Sequence, residues 1–183
     1  MKSIIVFIFF FTFQFSFSQE LEHKEYHENG SLKVEYAGKK DVPHGQVRIY
    51  YPTGELQAEF SCIEGKQHGI SKIYYQSGKL LKEMIFENGE QVGAMKIYYQ
   101  NGSVEEICFI INGAKTGAYQ YFFDNGQIQL DGFVKENQLD GMCTHYDISG
   151  KVIKKGKYKL GKPVGTWMEY DALGGTQKEY GND

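Results

Sequence analysis

The stretch GELQAEFSCIEGKQHGISKIYYQS, residues 54–77, decides the fold. It opens on Gly54 and runs through Leu56-Gln57-Ala58-Glu59-Phe60, where apolar and polar residues alternate as in a half-buried strand. A loop of small and polar residues leads to a second glycine, Gly69, and a second run ends in the paired aromatics Ile73-Tyr74-Tyr75 before Ser77-Gly78. Strand, loop, strand and turn within 24 residues describe one β-hairpin.

That unit recurs along the chain. Gly30, Gly54, Gly78, Gly102, Gly126, Gly150 and Gly174 are each 24 apart, and Gly45, Gly69, Gly93, Gly117, Gly141 and Gly165 keep the same period. Aromatics follow at Tyr26, Tyr50, Tyr74, Tyr98, Phe122, Tyr146 and Tyr170, and aliphatics at Leu32, Leu56, Leu80, Val104, Ile128 and Val152. A fixed period of this length marks a repeat architecture in which each unit touches only its neighbours. The expectation is an all-β, elongated antiparallel meander of six 24-residue hairpins, residues 30–53, 54–77, 78–101, 102–125, 126–149 and 150–173. Half-repeats flank them at Tyr26-His27 and at Thr176 to Tyr180, for about 14 strands and on the order of 65 Å of sheet. Asn125-Gly126 and its counterparts suit positions of positive φ in the closing turns. The second strand is expected to start at the second glycine, which leaves His44 and His68 in loops; a bulge is expected where the alternation blurs at Ile85-Phe86, Phe109-Ile110 and Phe133-Val134.

Composition bounds the function. The chain has 183 residues, 20 Lys and Arg against 23 Asp and Glu, 22 Gly and only 3 Pro. A net charge of −3 lacks the basic excess of a nucleic-acid protein. Residues 1–18 read as a secretory signal peptide: Lys2, an apolar run from Ile4 to Phe17, and the small residues Ser16 and Ser18 before Gln19. The run is short for a membrane span. Residues 19–183 then form one exported domain, periplasmic, surface-associated or secreted, with no transmembrane span after cleavage.

The pattern Gly-x-Leu, then Glu and an aromatic, then Asn-Gly-Lys, then Gly and paired Tyr before Asn-Gly resembles the variant MORN repeat of bacteria over residues 20 to 180. The resemblance implies a scaffold or partner-binding surface. Bacterial members are often immunity or antitoxin components, and eukaryotic members are linked to membranes and phosphoinositides. An exported, non-enzymatic binding module is therefore expected, the alternative being an exported protein that neutralises a specific toxin by binding it.

Pairing Glu59 with Lys72 also pairs Glu35 with Arg48 and Glu83 with Lys96. Cross-strand ion pairs account for these cations at about 0.2–1 kcal/mol each. The sharper reading is a binding groove formed by Arg48, Lys72 and Lys96 beside Tyr50, Tyr74 and Tyr98, able to stack on and pair with a sugar or anionic chain such as an envelope glycan. The other face carries Leu56, Ala58, Phe60, Ile73 and Tyr75, so the sheet either packs on itself or is covered by a protein partner or a second copy. The lysine run from Lys151 to Lys162 reads as a charged end that blocks strand-to-strand association, with contact to an anionic surface as the alternative. Cys62, Cys108 and Cys143 have no metal-type spacing and sit too far apart in a meander for a disulfide. No nucleophile-with-base set, metal site or phosphate loop is evident, so no enzyme activity and no cofactor are expected.

Overall fold

Alternating side chains and closely spaced turns let every strand pair with the next. The computed structural model describes residues 22–181; the signal segment expected at residues 1–18 lies outside the described residues. Seventeen strands form one antiparallel sheet: β1 (Glu22–Tyr26), β2 (Leu32–Lys39), β3 (Val42–Tyr50), β4 (Leu56–Ile63), β5 (Lys66–Gln67), β6 (Gly69–Tyr74), β7 (Leu80–Glu87), β8 (Glu90–Tyr98), β9 (Val104–Ile111), β10 (Ala114–Lys115), β11 (Gly117–Phe122), β12 (Ile128–Lys135), β13 (Gln138–Leu139), β14 (Gly141–Tyr146), β15 (Val152–Lys159), β16 (Lys162–Tyr170) and β17 (Gly175–Tyr180). β5 and β6 both pair with β4, β10 and β11 with β9, and β13 and β14 with β12. Each such couple is one strand interrupted by a bulge. The meander of hairpins is thus as expected, with β1 and β17 as the flanking half-repeats.

The turn chemistry differs from the expectation. At Pro52-Thr53-Gly54 the amide of Gly54 donates to the Tyr51 carbonyl and that of Tyr51 to the Glu55 carbonyl. Only Gly54 has positive φ, so this is a three-residue loop with one left-handed position. The two-residue turns with both φ positive stand at the opposite end of the hairpin, at Glu64-Gly65, Asn88-Gly89, Asn112-Gly113, Glu136-Asn137 and Leu160-Gly161. Consequently the second strand starts before the second glycine. His44 lies inside β3 and is not a loop residue, whereas His68 is the single residue that interrupts the strand between β5 and β6. The bulges fall at the expected level of the sheet but on the partner strand. In β2·β3 the pairs Tyr36–Val47 and Ala37–His44 leave Gly45 and Gln46 without partners on β2, and β7·β8 shifts likewise between Glu83 and Ile85. The extra residues sit on the second strand, at the second glycine, opposite the expected places: the pairing of β9 breaks between Ile107 and Ile110 and that of β12 between Asp131 and Val134.

Register defines two faces. On the ladder face one row crosses the whole sheet: Lys24, Glu35, Arg48, Glu59, Lys72, Glu83, Lys96, Ile107, Gln120, Asp131, Thr144, Lys155, Met168 and Gln177 are successive partners. The expected pairing register is the observed one. All the buried side chains, including Tyr36, Val47, Cys62, Ser71, Met84, Met95, Cys108, Cys143 and Trp167, lie on the other, packed face. The sets expected there, such as Leu56, Ala58, Phe60 and Ile73, are half-buried.

The packed face is filled by compensation between two columns. Every 24 residues, one reads Tyr36, Phe60, Met84, Cys108, Gly132, Gly156 and the other Val47, Ser71, Met95, Tyr119, Cys143, Trp167. The first loses volume steadily, while the second, small at Ser71 and Cys143, has its largest side chains at Tyr119 and Trp167, beside Gly132 and Gly156. A β-carbon on Gly156 would come closer than 3.0 Å to Cγ, Cδ2 and Cε2 of Trp167, and one on Gly132 equally close to Cys143 Sγ. A single-layer sheet thereby reaches interior-like contact, with large side chains lying flat over the neighbouring strand.

Hydrogen bonds lock successive repeats at both edges. At the three-residue turns the second aromatic of each pair reaches the next repeat: Tyr51 Oη donates to the Tyr74 carbonyl at 2.8 Å, Tyr75 to Tyr98 at 2.7 Å and Tyr99 to Phe122 at 2.7 Å. At the two-residue turns Gly65 N–H donates to the Pro43 carbonyl and Gly89 N–H to that of Gln67. These bonds occupy turn carbonyls that water would otherwise solvate.

Candidate functional site

The ladder residues come first, because the sequence singles them out. Arg48, Lys72 and Lys96 do lie in one row, yet Glu35, Glu59 and Glu83 interleave with them, so the row alternates in sign instead of forming a basic groove. Among the described residues, Arg48 and Glu35 at 3.5 Å are the pair of this ladder within ion-pair distance. The acids are engaged chiefly by phenols. Tyr50 Oη donates to Glu35 Oε1 and Tyr74 Oη to Glu59 Oε1, both at 2.6 Å. The Tyr50 hydrogen bond, with help from Arg48, holds the Glu35 carboxyl below its usual range. Burial and the bond to Glu59 push Tyr74 up to about 12. Tyr98 is half-buried in the same column, its phenol raised by burial and by Glu83. The hydroxyl ends of Tyr50 and Tyr74 are therefore tied into the ladder rather than free to meet a ligand.

Beside the ladder, on the same face, runs an apolar stripe. Ile63, Ile70, Phe109, Ile111, Phe133 and Met142 are exposed, from 43% for Phe109 to 57% for Ile70 and Met142. Register makes them neighbours or near neighbours: Ile70 pairs with Ile85, Ala94 with Phe109 and Ala118 with Phe133. The stripe has ends. Gln46 pairs with Ser61 on one side, and Met142 pairs with Lys157 on the other.

The packed face carries a feature the sequence analysis missed. A cleft of about 400 Å³ opens over β11 to β14, lined by Lys115, Tyr119, Tyr121, Gln129, Asn137 and His145, with Leu130, Val134 and Leu139 as its apolar part. Buried Glu106 hydrogen-bonds the Lys115 ammonium. Burial is the main cause pushing the Tyr119 phenol up to about 12, with Glu106 adding to it. Burial, then Lys154, lowers His145 to about 4, so its imidazole is neutral at pH 7. Tyr121 Oη donates to Glu105 Oε1 at 2.9 Å. The Asn137 side-chain oxygen accepts from the Lys115 backbone N–H at 2.9 Å, which leaves its NH₂ group for other partners. The signal that would have found this cleft is column comparison: Ile49, Ile73 and Ile97 are followed 24 residues on by Tyr121 and then His145.

The cysteines are free and buried, and burial raises each thiol, that of Cys108 to about 12. In the lysine run, Lys154 Nζ stands 5.9 Å from the centroid of the Trp167 ring and Lys155 Nζ 5.8 Å from that of Tyr170. Among the described residues no group of three His, Cys, Asp or Glu could hold a metal ion, and no helix is long and apolar enough to cross a membrane.

A single sheet assembled from hairpins of one length, its surface varied repeat by repeat, is the structure of a repeat protein. The chain belongs to the MORN repeat variant family, whose signature matches residues 19–37, 43–61, 67–88, 91–112 and 115–136, more than half of the sequence. Repeats of this family generally serve as binding modules without catalytic machinery. No curated protein matches the chain.

Proposed function

We propose that the protein is an exported, non-enzymatic binding module whose ladder face docks a protein partner. The observation that carries this is the bounded apolar stripe from Ile63 to Met142 beside an alternating charge row. Scattered exposed apolar residues are ordinary, but a contiguous row rimmed by polar and charged groups has the make-up of a protein interface. The ladder supplies orientation, since a partner of matching charge alternation is accepted in one register and repelled when shifted by one strand. Export through residues 1–18 sets the compartment in which the partner is met.

Affinity capture of the tagged chain, expressed with its own N-terminal segment, tests this reading. The wild type is expected to retain one stoichiometric protein that the Ile70→Lys/Phe109→Lys/Phe133→Lys variant does not. Equal recovery by both, or recovery of none, refutes the docking face. A captured secreted toxin would make the module an immunity protein. N-terminal sequencing of the processed product is expected to begin at Gln19, and retention of residues 1–18 would refute export by cleavage.

A further inference from the structure

We propose that the cleft on the packed face, formed by Tyr119, Tyr121, Gln129, Asn137 and His145, binds an uncharged saccharide. The site lies on the opposite side of the sheet from the docking stripe and does not depend on it.

The repeat supplies an internal control. At the column of Tyr121 and His145, three earlier hairpins carry Ile49, Ile73 and Ile97, and these fold into the same strand with the same register. At the column of Tyr119, the earlier hairpins carry Val47, Ser71 and Met95, all buried and none with a ring. The scaffold is therefore satisfied by isoleucine at the first column and by small or aliphatic buried residues at the second. Replacing them by two phenols and an imidazole in adjacent hairpins opens a polar cleft where the same architecture elsewhere packs shut.

The chemistry of the lining selects the ligand. Two tyrosine rings offer faces for the C–H side of a pyranose, and a side-chain carboxamide, an amide NH₂ and an imidazole offer the mixed donors and acceptors that hydroxyl groups need. The charge balance disfavours an anion. The Lys115 ammonium is already paired with Glu106, the imidazole of His145 is neutral, and Glu105 stands behind Tyr121. A carboxylate or phosphate entering the cleft would find the lining ammonium already paired and would face the carboxylates of Glu105 and Glu106; Lys154, the strand partner of His145, stands outside the lining with its ammonium 5.9 Å from the Trp167 ring centroid. An uncharged polyol with an apolar face loses nothing to that field.

Trp167 gives the site a built-in reporter, since its ring centroid is 6.2 Å from that of His145. The experiment titrates the purified chain with maltotriose, cellotriose and di-N-acetylchitobiose, following Trp167 emission and saturation-transfer NMR. Trigalacturonate and a neutral tetrapeptide serve as competing classes. At least one uncharged saccharide is expected to bind, with affinity reduced tenfold or more in Tyr121→Ile and in His145→Ile. Both substitutions restore the residue of the earlier repeats, so both variants should fold, as far-UV circular dichroism will show. The proposal is overturned if no uncharged saccharide binds, if only trigalacturonate or the peptide binds, or if the isoleucine variants bind like wild type. The triple lysine variant of the ladder face should leave this titration unchanged, which separates failure here from failure of the docking reading.

Discussion

Gly156→Ala tests the compensated columns most directly. Gly156 lies beneath the indole of Trp167, which is almost completely buried, and an added methyl would sit inside 3.0 Å of three ring atoms. The ring must move, since real β-carbons do not approach that closely. Overpacking of this kind costs about 1–3 kcal/mol. Displacement also loosens the hydrogen bond from Trp167 Nε1 to the Lys157 carbonyl at 3.2 Å, worth roughly 1 kcal/mol. It further disturbs the edge-on contacts with Tyr158 at 4.9 Å and Tyr180 at 5.8 Å, each on the order of 0.5 kcal/mol. The expected loss is about 2–4 kcal/mol, or roughly 5–10 °C in Tm for a chain of this length. Because neighbours alone are coupled in a repeat array, the loss should appear first in the C-terminal hairpins. Trp167 is the only tryptophan, so its emission reads that end, while far-UV circular dichroism reads the whole sheet. The emission transition should move to lower denaturant than the dichroism transition. Combining Gly156→Ala with Trp167→Leu should cost less than the two single changes together, because the shorter side chain vacates the space. An unchanged emission midpoint in Gly156→Ala, or strict additivity in the double variant, would refute the packing argument.

Leu160 sits at φ 48° in a two-residue turn and is exposed, so Leu160→Asn should stabilise the chain by about 0.5–1 kcal/mol; an unchanged or lower urea midpoint would contradict this. His145 is neutral in the folded state with its pKa depressed to about 4, below its unfolded value of 6.5. The stability that goes with its neutral form is complete above pH 6.5 and is lost as pH falls from there towards 4. Wild type should therefore lose more stability than His145→Ile across that window, and parallel pH curves would count against it. Cys62, Cys108 and Cys143 are buried thiols, so iodoacetamide at pH 8 should label them slowly in the native protein and rapidly in denaturant. Fast native labelling of any one would show that its strand opens.

The strand order, the register and the two half-repeats were legible because a 24-residue period without insertions leaves no other way to pair Glu35 with Arg48 and Glu59 with Lys72. The turns were not, because glycine marks both kinds. Gly54 is the single left-handed residue of a three-residue loop, whereas Gly65 is the second of two, and Glu64 before it adopts φ 50° although glutamate is no turn former. Only the backbone distinguishes them, and with them the placement of His44 and His68. The charge row was legible too, since the spacing of Glu35 and Arg48 recurs at Glu59 and Lys72 and at Glu83 and Lys96; that the phenols of Tyr50 and Tyr74 bond the acids of that row was not, because it depends on side-chain reach rather than on spacing. The cleft escaped for a different cause. Its residues come from β10 to β14 and the turn at Asn137, partly from columns read as core, and two successive hairpins must be combined to assemble it.

The paired columns of the packed face have a consequence for how such a chain can change. If the hairpins were interchangeable, excising one 24-residue unit would leave a shorter protein of equal quality. Here the hydrogen-bond ladder would close over such a deletion, but the side chains would not. Removing residues 102–125 would bring Met95 of one unit to face Gly132 of another, and the space over Gly132 that Tyr119 fills would be left to the smaller methionine. Each unit has become specific to its neighbours, so the array, although periodic in backbone, is aperiodic in volume. A unit moved to another place in the array would meet neighbours whose volumes do not complement its own.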